Sequence, residues 1–498
     1  MPLLHGVAST YSSCVEQPVQ RLFFALTARK NYKVYGGDAQ DAHTHSPPPE
    51  TPIFVSIDDA YTDWYEHRFK KQLDRSLALP VLHALQGHPK SGKLWEKHIT
   101  AILQSPQFGF KSTTHDRSIY LAAFEGTKIL LLCQVDNFAV ACPNEELAKH
   151  LCDQIGKRSQ LTSEDAPPFK HLGLFQDFNG LDIAQCSDAI KLSCEKCIDQ
   201  VLTTHRWSKP SPHVPLKPPA QLLVDAATSL YAHQGPPENT TKHAALMSKH
   251  GFVCRKLLGK LLCAHVTCRP DIGYATITAS KFSTYPHDHH FSMLKKVAKH
   301  LRATKDWSII YHWSQPDTLL LPFSFIHLTM DADFPDFLHV DPQEPIAFLD
   351  AAHTNDLQNC RSAAGYALLL CGRAISNWCK TQSITATSST ESEFLSAVTT
   401  AKHARYVRVI MTDLGFPPNG PTVICCDNQS AINMINGCVA TERSRHIDIQ
   451  RFAMQEWKEL GAIVMEFISC VINPSDDLTK PLGWVLHDRH ARRIMGHW

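Results

Sequence analysis

Four acidic residues, each set where one predicted element hands over to the next, constrain this chain more than any other feature. In Ile424-Cys-Cys-Asp427-Asn-Gln-Ser-Ala-Ile432 an apolar run predicts a β-strand, Asp427 stands at its end, and polar residues then predict the cap of a helix. Ala347-Phe-Leu-Asp350 sets a second acid at the end of an apolar run. Ser388-Ser-Thr-Glu391-Ser-Glu393-Phe394 reads as a helix start, and Asn473-Pro-Ser-Asp476-Asp477-Leu-Thr-Lys-Pro481 offers a further acidic point. Carboxylates delivered by separate elements are what a site for two divalent cations needs, because magnesium takes hard oxygen ligands and keeps several waters. Taken singly, each acid is more often a helix cap or a surface group. A purely structural protein would need the four to lie apart in space.

The 498 residues allow two to four domains, and 43% hydrophobic with 19% charged residues is a globular composition. Lys and Arg (49) balance Asp and Glu (48), so no global basic charge advertises nucleic acid, although a local groove could still bind it. The 17 cysteines are irregularly spaced and no cleavable signal peptide is visible. That combination predicts reduced thiols in an intracellular protein, cytoplasmic or nuclear. No apolar run approaches the ~20 residues that would span a bilayer, so no membrane partner is expected.

Residues 1–30 carry a weak helical pattern with Val19, Leu22, Phe23 and Leu26 on one face. Strands are predicted at 32–35 and 53–57, and a helix within 79–104. The most hydrophobic stretch, Lys128 to Cys142, reads as two strands joined by a tight turn with Asp136-Asn137 at its tip, a pair that turn chemistry alone could explain. A helix follows at 144–158. Residues 205–245 read as a linker, 255–262 and 291–301 as helices, and 312–345, with five prolines, as an interdomain connection. From 346 onward strands (346–350, 363–371, 374–378, 422–426, 462–469) alternate with helices (390–413, 428–436, 446–459), a mixed α/β order.

This last segment resembles the ribonuclease H domain of copia-type retrotransposon polyproteins. The resemblance is carried by Leu349-Asp350-Ala-Ala, Arg361-Ser-Ala-Ala-Gly-Tyr366, Ile375-Ser-Asn-Trp-Cys-Lys-Thr-Gln382, Ser388-Ser-Thr-Glu-Ser-Glu-Phe394, Cys426-Asp-Asn-Gln-Ser-Ala-Ile432, Arg443-Ser-Arg-His-Ile-Asp-Ile449 and Asp476-Asp-Leu-Thr-Lys-Pro-Leu482, in that order. The upstream half resembles the reverse transcriptase of the same family through Ala84-Leu-Gln-Gly-His-Pro-Lys-Ser-Gly-Lys-Leu-Trp95, Gln134-Val-Asp-Asn137, Cys254-Arg-Lys-Leu-Leu-Gly-Lys-Leu-Leu262 and Arg269-Pro-Asp-Ile272.

The resemblance implies an α+β reverse transcriptase palm/thumb-like region followed by an α/β ribonuclease H-like domain with a mixed five-stranded sheet. It divides the chain into a palm with truncated fingers (1–204), linker and thumb-like helices (205–311), an interdomain connection (312–345), the nuclease-like domain (346–485) and a tail (486–498). It implies two magnesium ions per active site, or manganese in their place, held for hydrolysis by Asp350, Glu393, Asp427 and Asp476. Glu391 rivals Glu393 and Asp477 rivals Asp476; the family pattern favours the second glutamate and the first aspartate. For polymerisation the implied ligands are Asp38 and Asp136, with Asn137 where the family has a second hairpin carboxylate. An amide oxygen can accept but brings no negative charge. Gln134 for a tyrosine, Gln40 for a lysine and His43 for an aromatic are further departures. The implied partners are RNA–DNA hybrid, template RNA, DNA primer and deoxynucleotides.

Several motifs look chemical and are read otherwise. Asp58-Asp59 reads as a helix cap or turn. Cys194-Glu-Lys-Cys197, near Cys186, lacks a second pair at zinc spacing. His446 is expected to be structural or to contact backbone, and His287, His289 and His290 to sit in a solvated loop. The leading expectation is a hybrid-cleaving nuclease joined to a degenerate polymerase; the alternative is a silent remnant or nucleic-acid-binding module.

Overall fold

A computed structural model describes residues 14–74, 76–159, 169–209, 227–313, 344–437 and 445–496. Most of the proline-rich connection and residues 210–226 of the expected linker lie outside the described residues. The described residues form two compact units, one built on Lys33–Phe175 with Cys14 and Val15, the other on Glu16–Tyr32 and the described residues from Gln176 onward. This division differs from boundaries at 204 and 312. Helix α1 (Gln17–Arg29), which buries Val19, Leu22, Phe23 and Leu26, belongs to the second unit.

The first unit runs β1 (Lys33–Ala39), β2 (Phe54–Ser56), α2 (Asp59–Phe69), β3 (Ala78–Pro80) and α3 (Ser91–Leu103). It continues with β4 (Lys111–Ser112), β5 (Ile119–Phe124), β6 (Thr127–Gln134), β7 (Asn137–Cys142), α4 (Glu145–Ser159) and β8 (Phe169–Leu174). Asp58 caps α2 by accepting from the Tyr61 N–H at 2.7 Å. Six strands pair antiparallel in the order β4-β5-β6-β7-β1-β8. The α3 face of Trp95, Ile99, Ile102 and Leu103 and the α4 face of Leu151, Cys152 and Ile155 share one core with Ile129, Leu131, Phe138 and Val140. Leu130 and Leu132 are buried on the other side of β6, which explains its unbroken apolar run. Gly36 and Gly37 make β1 a close-packed strand: a Cβ on either would come within 2.6 Å of the rings of Phe175 or Phe169.

The second unit carries two sheets. β9 (Asp177–Phe178), β10 (Leu181–Gln185), β11 (Ala189–Ser193) and, after a helical stretch, β12 (Ile309–His312) form a four-stranded sheet in the order β12-β11-β10-β9. The helices between are α5 (Glu195–Thr204), α6 (Ala227–Ala232), α7 (Thr241–His250), α8 (Cys254–Thr267), α9 (Gly273–Ser280) and α10 (Asp288–Ala303). The expectation of a solvated histidine loop at 287–290 holds only for His289, which is exposed. His290 Nδ1 accepts the His287 N–H at 2.8 Å at the start of α10, and His290, 1% exposed, places Nε2 3.0 Å from the Leu230 carbonyl.

The second sheet takes β13 (Ile346–Asp356), β14 (Arg361–Leu370), β15 (Arg373–Thr381), β16 (Thr422–Cys426) and β17 (Ile463–Phe467) in the order β15-β14-β13-β16-β17. The first three pair antiparallel, while β16 and β17 run parallel to β13. Helices α11 (Ser389–Asp413), α12 (Gln429–Asn436), α13 (Arg445–Glu459), α14 (Asp476–Thr479) and α15 (Trp484–Met495) complete the unit. The strand expected to stop at 350 runs on to Asp356, because β14 keeps pairing with it past Ala352. Among the described residues no helix is long and apolar enough to cross a membrane.

Candidate metal-binding carboxylate cluster

The parallel pairing of β13 and β16 ends at Phe348 opposite Cys425. Asp350 lies two residues further along β13 and Asp427 follows directly on the last residue of β16, so both stand at the carboxyl end of the parallel pair. Glu393 lies in the first turns of α11, which packs along β13, and its Oε1 accepts the Ala351 N–H at 3.0 Å. Asp476 opens α14, which packs on β13 and β14. Gly365 permits that packing, since a Cβ there would stand 2.8 Å from Leu478 Cβ. Carboxylate oxygens of Asp350, Asp427 and Asp476 come within 4.8 Å of one another, and Glu393 and Asp427 with Cys426 form an overlapping group at the same limit. All four acids predicted for hydrolysis therefore meet in one place.

The rivals are engaged elsewhere. Ser388 caps α11 by accepting the Glu391 N–H at 3.1 Å, and the Glu391 carboxylate accepts from the N–H (2.7 Å) and hydroxyl (2.6 Å) of Thr387, the residue before the cap. Two residues on a helix are separated by about 200°, so Glu391 and Glu393 cannot serve one site. Asp477, 1% exposed, binds His487, with Oδ1 2.6 Å from Nδ1.

Three further side chains build the cluster, and sequence reasoning did not assign them. Lys480 Nζ lies 2.9 Å from Asp350 Oδ1, 3.0 Å from Asp476 Oδ1 and 3.9 Å from Asp427 Oδ2. The Thr479 hydroxyl donates to Asp350 Oδ2. Asn473 ties the segment to β13 by donating to the Leu349 carbonyl at 2.8 Å. The i, i+4 spacing of Asp476 and Lys480 was a usable signal in the sequence.

Crowding shows in the proton affinities. Burial, and then the charges of Asp350 and Asp427, push Glu393 far above the usual carboxylate range, against the Ala351 N–H and Lys480. Burial and Asp350 likewise raise Asp476 and Asp427, with Lys480 opposing in both. Burial pulls Lys480 down, but Asp350 and Asp476 outweigh it and hold the ammonium above its ordinary value. These oxygens, hard and short of positive charge, fit magnesium.

Carboxyls raised in the fold bind more protons folded than unfolded, so their contribution is complete at acid pH and is lost as pH rises through the raised values. In EDTA the melting temperature should fall from about pH 5 to pH 8. Magnesium should flatten that slope by replacing protons. Lys480→Gln should lower the metal-free melting temperature at pH 7.5 and enlarge the increment given by magnesium, each by a few degrees at ~2–4 °C per kcal/mol. An unchanged increment would show that Lys480 does not share the cation's place.

In the first unit, Asp38 on β1 faces Asn137 of β7 and Lys170 of β8. Burial and then the charge of Asp136 raise Asp38, with Lys170 opposing. The hairpin differs from expectation by one residue. Gln134 pairs with Asn137, so Val135-Asp136 form the turn and Asn137 already belongs to β7. The Trp95 indole donates to the Val135 carbonyl at 2.6 Å and the Ala39 N–H to the Asp136 carbonyl at 2.8 Å, which fixes the shifted turn with Val135 at φ +55°. Asn137 Nδ2 donates to Asp136 Oδ1 at 3.1 Å. Among the described residues, neither Asp38 nor Asp136 belongs to a group of three potential metal ligands.

A third His/Asp group, Asp271, His300 and His487, is fully buried. Arg269 takes both Asp271 oxygens (2.8 and 2.6 Å) and His300 adds a contact at 2.9 Å, so it is a charge network within the core.

No family model matches the chain. Over most of its length the chain is nevertheless homologous to retrovirus-related Pol polyproteins of copia-type transposons. It is 24% identical over 473 residues to the Pol polyprotein from transposon TNT 1-94 of Nicotiana tabacum, covering 94% of this chain and 31% of that protein. It is 24% identical over 412 residues to that from transposon RE2 of Arabidopsis thaliana, covering 82% and 24%. A putative transposon Ty5-1 protein of Saccharomyces cerevisiae is 23% identical over 320 residues, 63% of this chain and 85% of that one. The chain thus spans about a third or less of the two plant polyproteins. Among solved structures, foamy viral protease-reverse transcriptase in complex with double-stranded DNA aligns with TM-score 0.40 and 10% identity over 92% of this chain and 60% of that one.

Proposed function

We propose that residues 346–485 form a ribonuclease H-type nuclease that hydrolyses the RNA strand of an RNA–DNA hybrid, following the degenerate reverse transcriptase palm and thumb-like helices of a retrotransposon Pol protein. The observation that carries the reading is the convergence of Asp350, Glu393, Asp427 and Asp476 on one strand edge. Two magnesium ions bound there would lower the pKa of an attacking water and neutralise charge on the leaving oxygen. Asp350 on β13 and Asp427 just beyond the end of the adjacent β16 would supply charge from neighbouring positions. Glu393, held by the Ala351 N–H, completes the ligand set from the helix side. Asp476 enters from a four-residue helix seated by Gly365 and Asn473. A hybrid of A-like form would be gripped through phosphates and 2′-hydroxyls, with little base readout.

The test is cleavage of end-labelled RNA in an RNA–DNA hybrid by the full chain. Magnesium-dependent products, absent in EDTA and absent with duplex DNA, are expected. Hybrid binding without cleavage would replace the nuclease with a silent binding module. For the polymerase half the carrying observation is Asn137 beside Asp136 and opposite Asp38. Extension of a DNA primer on template RNA with deoxynucleotides should be feeble, and Asn137→Asp should raise it by ~10-fold, the return of about 1.4 kcal/mol. Robust synthesis by the unaltered chain would sink the degenerate reading.

A further inference from the structure

His287 and His289 gain a third imidazole in the fold. His233, just beyond α6, places its ring centroid 5.2 Å from that of His287 and 6.4 Å from that of His289, and the last two rings are 5.2 Å apart. Main-chain contacts on both sides of His233 hold it there. On one side the buried His290 ring meets the Leu230 carbonyl at 3.0 Å, and Tyr231 packs edge-on against Phe282 with centroids 5.1 Å apart. On the other, the Gly235 N–H donates to the Tyr285 carbonyl at 2.9 Å. Only glycine fits at 235, because a Cβ there would stand 1.9 Å from the Pro286 carbonyl oxygen.

His287 is the N-cap residue of α10, and its N–H is bound by His290 Nδ1 at 2.8 Å. Its own ring Nδ1 is enclosed and has no hydrogen-bond partner among the described residues. An enclosed polar atom left unpaired calls for a ligand. The charge nearby is balanced: Asp288 Oδ1 is 2.5 Å from Lys249 Nζ and 2.8 Å from His250 Nε2. Binding at the three rings must therefore come from the imidazoles themselves.

Imidazole nitrogen suits zinc, copper and nickel, whereas magnesium takes hard oxygen ligands. With zinc–nitrogen bonds of about 2.0–2.1 Å, three rings set tetrahedrally around one ion have centroids roughly 5 Å apart. Two of the three pairs already have that spacing. The rings now lie nearly face to face, inclined by 20 to 33°, and their nitrogens are not gathered within 4.8 Å. His233 and His289 are exposed, so rotation of these two side chains closes the set.

We propose that His233, His287 and His289 bind one zinc ion, with water in the fourth position, and so clamp the segment after α6 to the start of α10. The inference goes beyond the nuclease reading and does not depend on it, since its ligands and its metal differ from those of the carboxylate cluster.

The test uses the full chain, reduced, stripped of metal and titrated with zinc chloride at pH 7.5 against a chromophoric chelator. One zinc per chain should bind with a micromolar or tighter Kd, and millimolar magnesium should not displace it. X-ray absorption at the zinc edge should give nitrogen and oxygen neighbours at about 2.0 Å and no sulfur at about 2.3 Å, which separates this site from the cysteines. His233→Ala and His289→Ala should each weaken binding at least ~10-fold, the loss that even an outer-shell partner can bring. His115→Ala, at an exposed histidine elsewhere, should change nothing. Equal melting temperatures of these variants and the unaltered chain in EDTA would show that lost binding is not lost folding. Binding unchanged in both His233→Ala and His289→Ala, sulfur neighbours around the zinc, or no zinc bound below millimolar concentration would each overturn the proposal.

Discussion

Asp350→Asn is expected to abolish hybrid cleavage while leaving the metal-free protein at least as stable as before. The loss should reach ~10³-fold or more, since metal-assisted charge stabilisation contributes several kcal/mol and each 1.36 kcal/mol is tenfold in rate. The geometry explains why stability should not fall with activity. Asp350 is completely buried, and its two oxygens accept from Thr479 and Lys480. An asparagine of the same size keeps an acceptor for Lys480 and can donate to the Thr479 oxygen. It also removes the charge that helps raise Glu393, Asp476 and Asp427. Without a divalent ion, less repulsion remains at pH 7.5, so the melting temperature in EDTA should hold or rise. Binding of uncleaved hybrid should change by no more than a few-fold if, as proposed, the grip is through phosphates and 2′-hydroxyls along the duplex. A variant that still cleaves, or one that loses activity only because it unfolds, would remove the cluster from the mechanism.

The sequence shows how much of this could be read beforehand. β14, β16 and α11 fall within two residues of their predicted limits, because each repeats its apolar positions with the period of its own conformation. The acids were legible as a set for the same reason: each sits at a junction of such elements. The choice between Glu391 and Glu393 came from the family pattern and not from local chemistry, because it depends on which of two positions, half a turn apart, completes the cap. The hairpin tip failed on competition between local and tertiary demands. Asp and Asn favour turns, yet bonds from Trp95 and Ala39 fix the turn at Val135-Asp136. β12 was hidden because its pairing partner, β11, lies more than a hundred residues earlier. Lys480 was in view as part of a block, but its role depends on three acids that come together only in the fold.

The largest effect on stability should come from Asp477 and His487, the pair next to the cluster. Both side chains are essentially unexposed and meet at 2.6 Å, with the His300 ring 5.6 Å from that of His487. Asp477 Oδ2 and His487 Nε2 have no hydrogen-bond partner among the described residues. A buried pair of this kind contributes little over a well-packed apolar pair, yet breaking it strands a polar or charged group in the core. Asp477→Ala and His487→Ala should therefore each cost ~3–5 kcal/mol in denaturant unfolding. The double variant Asp477→Leu with His487→Phe should recover most of that loss, because neither stranded group remains. The cycle also bears on catalysis, since Asp477 shares the four-residue helix α14 with Asp476. If the pair only fills the core, the double variant should regain wild-type cleavage together with its stability. If the hydrogen bond sets the angle at which Asp476 is presented, the double variant should be stable yet need a higher magnesium concentration for half-maximal cleavage. A double variant as unstable as the singles would show that the site cannot accept apolar groups, and would refute the account of the pair as a replaceable polar contact.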